Sequence, residues 1–136
     1  MKLESCTLLV RDLDEALDFY LTVLGFEVRR YADANPPWRA AVGPPSQPDL
    51  QIVLESPSAD PVVPEADRET IEDLMTKGLL NRLVLLTDDC DEIFEHLATA
   101  GAEVMQEPID RLDGVRDCAF LDPSGNLLRF VQPRLV

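Results

Sequence analysis

Histidine is almost missing: the 136 residues contain one, His96. A site with two histidines and a carboxylate needs two, and a three-histidine zinc site needs three, so neither can be built within one chain. His96 lies off the helically spaced apolar stripe Cys90, Ile93, Phe94, Leu97 and Gly101, which makes it a solvated surface residue. No Ser-His-Asp or Cys-His nucleophile can be assembled around it. Positive charge is scarce as well. Twelve Lys and Arg stand against twenty-six Asp and Glu, a net charge of −14. Phosphate backbones repel such a surface, which argues against a nucleic-acid partner. The charge either simply keeps the protein soluble or draws a cation to a cleft lined by acids. Long apolar runs are absent too. Leu83-Val84-Leu85-Leu86 is the longest, against about 20 residues for a membrane helix. The opening MKLESCTLLV is too poor in apolar residues for a signal peptide. The expectation is a cytoplasmic protein with no membrane partner. There is no CxxC pair: Cys6, Cys90 and Cys118 are far apart and odd in number, and read as buried free thiols of a reducing compartment. There is no Gly-rich phosphate loop.

What remains is an ordinary globular composition, 46% hydrophobic and 28% charged, over a length that suits one domain. Residues 4–10 alternate as a half-buried strand, with Cys6, Leu8 and Val10 on the helix-facing side and Cys6 expected as inert core. Asp12 caps a helix in capping-box spacing with Glu15, and Leu13, Ala16, Leu17, Tyr20 and Leu24 form its buried stripe before Gly25. Strands are predicted near 26–32, 38–43 and 49–55. A Pro-rich stretch, 56–66, leads to a short amphipathic helix over 66–77. The order then repeats: a strand near 81–87, a helix from Asp89 to Gly101, and strands near 102–107, 115–121 and 126–132. A Pro-Ser-Gly turn joins the last two strands.

The two halves are a degenerate repeat. Asp12-Leu13-Asp14-Glu15 recurs as Asp89-Cys90-Asp91-Glu92, and Gly25, Glu27 and Val28 recur as Gly101, Glu103 and Val104. The second helix is one residue shorter between these marks. The fold class read from this is α+β: duplicated βαβββ modules in a single domain, with module one at 1–55, a connector at 56–79 and module two at 80–136. Modules this small must share a sheet or wrap a common cavity.

Three stretches, VRDLDEALDFYLTVLGFEV (10–28), TDDCDEIFEHLATAGAEV (87–104) and FLDPSGNLLRFVQP (120–133), together with the duplicated order, resemble the vicinal oxygen chelate superfamily of glyoxalases, extradiol dioxygenases and bleomycin-resistance proteins. The resemblance implies a curved, half-open mixed sheet barrel, paired as a homodimer, with the ligand inside the curve. It also implies four positions at which metal-dependent members place His, Glu or Gln, His and Glu. Here these positions carry Ser5, Val53, Arg82 and Arg129. None suits zinc, nickel, manganese or iron, and two are permanent cations. The expectation is a variant with no metal and no cofactor.

Alternation independently puts Ser5, Thr7, Gln51, Val53, Glu55, Arg82 and Arg129 on the cavity side, among aliphatic residues. Arg82 and Arg129 either pair with Glu55 and stiffen the sheet or present forked donors to a carboxylate, phenolate or quinone oxygen. Trp38 is either core or interface, or a stacking wall for a planar ligand. The leading functional reading is a binder resembling the metal-free bleomycin-resistance proteins, which sequester a drug in dimer clefts. The alternatives are a metal-free lyase or isomerase with Glu55 as base and Arg129 facing the enolate, and an interaction module with a vestigial pocket.

Overall fold

A computed structural model describes residues 1–31, 39–57 and 60–134. The period-two segments form eight strands: β1 (Ser5–Leu9), β2 (Glu27–Tyr31), β3 (Arg39–Gly43), β4 (Gln51–Glu55), β5 (Arg82–Leu86), β6 (Glu103–Asp110), β7 (Arg116–Leu121) and β8 (Leu127–Gln132). Three helices accompany them: α1 (Leu13–Leu17), which runs on as a π-helical segment over Asp18–Val23, α2 (Glu65–Thr76) and α3 (Cys90–Thr99). The first sheet has the order β1-β4-β3-β2 and the second β5-β8-β7-β6. In each, the module's first strand, β1 or β5, is parallel to its neighbour and the other pairs are antiparallel. The sheets remain two separate half-open layers rather than a closed barrel. β6 extends past the expected end at 107 because two register irregularities let it keep pairing with β7 as far as Arg116.

Both main helices start as their sequences dictate. Asp12 accepts from the Glu15 amide at 2.9 Å, and Asp89 from the Glu92 amide at 3.0 Å. Each bond satisfies one of the donors a helix start leaves free. The additional residue of the first helix is taken up by the π-helical segment. Leu24 N donates to Phe19 O, five residues back, at 3.0 Å, and Phe26 N to Tyr20 O, six back, at 2.8 Å. At the matching point of the second module, Ala102 N reaches only five back, to Leu97 O, at 3.0 Å. Widening the turn shifts the phase of the apolar stripe. Phe19 and Tyr20 are buried, while Leu17 and Leu24, expected on the stripe, are only partly covered.

One face of each sheet packs onto the helices, and both contribute to one hydrophobic cluster. Leu8, Val10, Tyr20 and Leu54 from the first module join Leu97, Phe120, Leu128 and Phe130 from the second. Burying a side chain of this size contributes about 1.5–3 kcal/mol. Cys90 and Cys118 are buried free thiols within this cluster, as the sequence implied. Cys6 is not. It is exposed, near the start of the edge strand β1. It lines a solvent-open gap of about 420 Å³ shared by Phe26, Leu50, Ile52 and the edge strand β5.

Candidate functional site

The faces turned away from the helices carry the candidate residues. On the first sheet, parallel pairing sets Ser5 beside Gln51, Thr7 beside Val53 and Leu9 beside Glu55, while antiparallel pairing sets Ala41 beside Val53 and Arg39 beside Glu55. The small Ala41 leaves a floor. Around it Ser5, Thr7, Arg30, Tyr31, Arg39, Val53 and Glu55 enclose a largely polar cleft of about 280 Å³. Glu55 lies 3.8 Å from Arg39. Gln51 is on the same face but further along, in a shallow recess with Lys2, Leu3, Glu4 and Asp49, and its carboxamide oxygen is buried with no hydrogen-bond partner among the described residues. Trp38 lies outside the described residues. His96 is exposed, and its Nε2 is 2.7 Å from the Val23 carbonyl oxygen, so the ring ties α3 to the first helix.

On the second sheet Arg82, Val84 and Leu86 share a face with Leu127, Arg129 and Val131, as the parallel register requires. Antiparallel pairing adds Ala119 beside Arg129, and Gln106 beside Ala119. This face is open and strongly apolar at one edge, where Val84 is 63% and Leu86 77% exposed. Its polar part is a cluster centred on Asp117. Arg111 Nε donates to both Asp117 oxygens at 3.1 Å. Arg129 Nη1 is 3.4 Å from the same carboxylate and donates to Gln106 Oε1 at 3.1 Å. Gln106 Nε2 donates to Asp117 Oδ1 at 2.7 Å. Burial pushes the Asp117 carboxyl up, but the Arg111 and Gln106 hydrogen bonds and the Arg111 and Arg129 charges outweigh it and hold it below the usual carboxylate range.

Of the two alternatives for the arginines, pairing with Glu55 is not what the sheets form. Arg129 pairs with Asp117 on β7, Glu55 pairs with Arg39 on β3, and Arg82 makes no ion pair with any described residue. The reason is register. Asp117 sits on the strand next to Arg129 and faces the same way, whereas Glu55 is on the other sheet. Of the three residues around Arg129, only Arg111 lies beyond the strand end expected at 107; Gln106 and Asp117 fall within expected strands, and cross-strand register brings them to Arg129. Two carboxylate-compatible side chains, Gln106 and Arg111, flanking a short hairpin back to Asp117 were the available signal.

The chemistry of the four inherited positions settles the fit to a metal. A hydroxyl, an isopropyl group and two guanidiniums, split over two sheets, do not form a cation site. Among the described residues no group of three or more His, Cys, Asp or Glu side chains is placed to hold a metal ion. No helix among them is long and apolar enough to cross a membrane.

Two βαβββ modules, each with a four-stranded mixed sheet and not closed into a barrel, define the class of fold. The chain belongs to the Glyoxalase/Bleomycin resistance protein/Dioxygenase superfamily, whose family model matches residues 2–130. The crystal structure of UcmS2 is similar over 98% of each chain, at 31% identity and a TM-score of 0.88. TnmS3, an antibiotic binding protein from Streptomyces sp. CB03234, is similar over 98% of this chain and 97% of its own, at 26% identity and a TM-score of 0.72. YurT of Bacillus subtilis, itself uncharacterized, is 28% identical over 133 residues, 97% of this chain and 99% of YurT. This membership is consistent with small-molecule binding.

Proposed function

We propose that this protein is a metal-independent binder that sequesters an antibiotic or another natural product, without converting it, in clefts of a cytoplasmic homodimer. The observation that carries the reading is the replacement of all four metal positions by Ser5, Val53, Arg82 and Arg129 while the sheet faces around them stay open. The resemblance to an antibiotic binding protein supports it. In this reading the first sheet of one copy closes over the second sheet of the other. Ser5, Thr7, Gln51, Val53 and Glu55 then face Arg82 and Arg129. Val84 and Leu86, too exposed for a lone chain to carry without cost, become cavity wall or interface. Isothermal titration with a panel of hydrophobic natural products tests this. Stoichiometric binding with every compound recovered unchanged is the expected result. Turnover of a bound compound, abolished by Glu55→Gln, would establish the lyase or isomerase alternative instead.

A further inference from the structure

The face of the second sheet turned away from the helices carries Arg82 and Arg129, with Arg111 and Asp117 beside them, in a chain whose net charge is −14. In the Asp117 cluster two guanidiniums share one carboxylate. Arg129 spends only Nη1 on its partners, and its Nε and Nη2 donate to no described residue. Its side chain is 31% exposed, so these donors remain reachable. Arg82, exposed and unpaired, is on the same face, one strand over and two residues along, roughly 8 Å away by sheet geometry. Between and beside them lie Val84, Leu86, Leu127 and Val131.

Resting on the binding function proposed above, we propose that this face selects ligands that carry a carboxylate on an otherwise apolar body. Arg82 and the free edge of Arg129 take the carboxylate oxygens, and the aliphatic residues take the body. Gln106 is a positioning residue: its Oε1 holds Nη1 of Arg129 and so aims the rest of the fork outward, while Asp117 offsets part of the guanidinium charge. A guanidinium held in this way loses little freedom on binding. The surface acids do not veto an anion here. At physiological ionic strength charges farther off than about 8 Å are largely screened, so the adjacent arginines dominate. Asp117 tunes the site, because it neutralises part of the charge that the ligand would otherwise meet.

The test compares anthracene-2-carboxylate with anthracene-2-carboxamide, which has the same body without the charge, by fluorescence titration of the full chain. The carboxylate is expected to bind about 10- to 150-fold more tightly, the span of one charged hydrogen bond. Arg82→Met and Arg129→Met should each remove most of that preference and leave carboxamide affinity unchanged. Arg82→Met is the decisive variant, since an exposed, unpaired side chain can be replaced with no change in melting temperature. Asp117→Asn releases both guanidiniums and should raise the preference for the carboxylate, an effect that a purely structural Asp117 would not produce. Equal affinity for the two probes, insensitive to either arginine, overturns carboxylate recognition and leaves the binding function standing. Failure of both probes to bind at millimolar concentration overturns the two together.

Discussion

The Tyr20 hydroxyl donates to Asp122 Oδ2 at 2.7 Å, in the core and across the boundary between the two modules. Asp122 opens the turn before β8, and its carboxylate also collects the Ser124 and Asn126 amides at 2.9 Å and the Asn126 side chain at 3.0 Å. The same Asn126 Nδ2 reaches Leu9 O at 2.8 Å, and Ser124 Oγ accepts from Arg11 N at 2.8 Å. The turn of module two is thus bolted to the end of β1 and the start of α1. Each of the side chains Tyr20, Asp122, Ser124 and Asn126 has a partner within this network, which is the condition for it to stabilise. Burial drives the Tyr20 phenol well above its ordinary value, and the Asp122 charge and hydrogen bond add to this, so the hydroxyl stays a donor.

Tyr20→Phe should therefore lower stability by about 1.5–3 kcal/mol, the range for a hydrogen bond to a charged group. Urea unfolding should show a lower midpoint with the slope unchanged. In a double-mutant cycle with Asp122→Asn the two losses should be strongly non-additive. Additive losses would mean that the modules are held by packing alone.

Alkaline pH should destabilise the fold through the core thiols. Burial pushes the Cys118 thiol from its ordinary 9.0 up to about 12, with Cys90 and the nearby acids adding. A raised folded-state value gives stability that is complete below the unfolded value and is lost as pH rises toward the folded one. The window is therefore about pH 9 to 12. Chemical denaturation at pH 7.5 and at pH 10 should show a loss in the wild type that Cys118→Ala reduces, even though the variant is less stable at both.

The protein should sediment as a dimer, at twice its 15.2 kDa chain mass. Leu86→Glu places a charge on the most exposed aliphatic side chain of β5, and should shift the mass toward the monomer while circular dichroism stays native. A monomer at every wild-type concentration would refute the shared-cleft arrangement. Closed two-fold pairing is the commonest way to cover such faces.

The purified protein should contain no stoichiometric zinc, nickel, iron or manganese, and a chelator should leave its melting temperature unchanged. A bound metal stabilises the folded state by mass action, so a chelator-induced drop would expose a site that the four inherited positions do not suggest. Elemental analysis together with a thermal shift assay decides this.

The sequence alone determined what is local. The caps at Asp12 and Asp89 and the alternation of Ile52 and Leu54 with Val53 follow from hydrogen-bond spacing and a period of two, which need only a few neighbours along the chain. The surface placement of His96 and the burial of Cys90 follow in the same way from helical period. Tertiary structure decided the rest. Phe19 is buried because a π-helical segment absorbs one additional residue and turns the stripe, a phase change that no fixed period anticipates. Cys6 is exposed near the start of β1, whose place at an edge depends on strand order. Arg129 meets Asp117 rather than Glu55 because sheet register, set by many cooperating contacts, brings together side chains distant in sequence and keeps others on separate sheets.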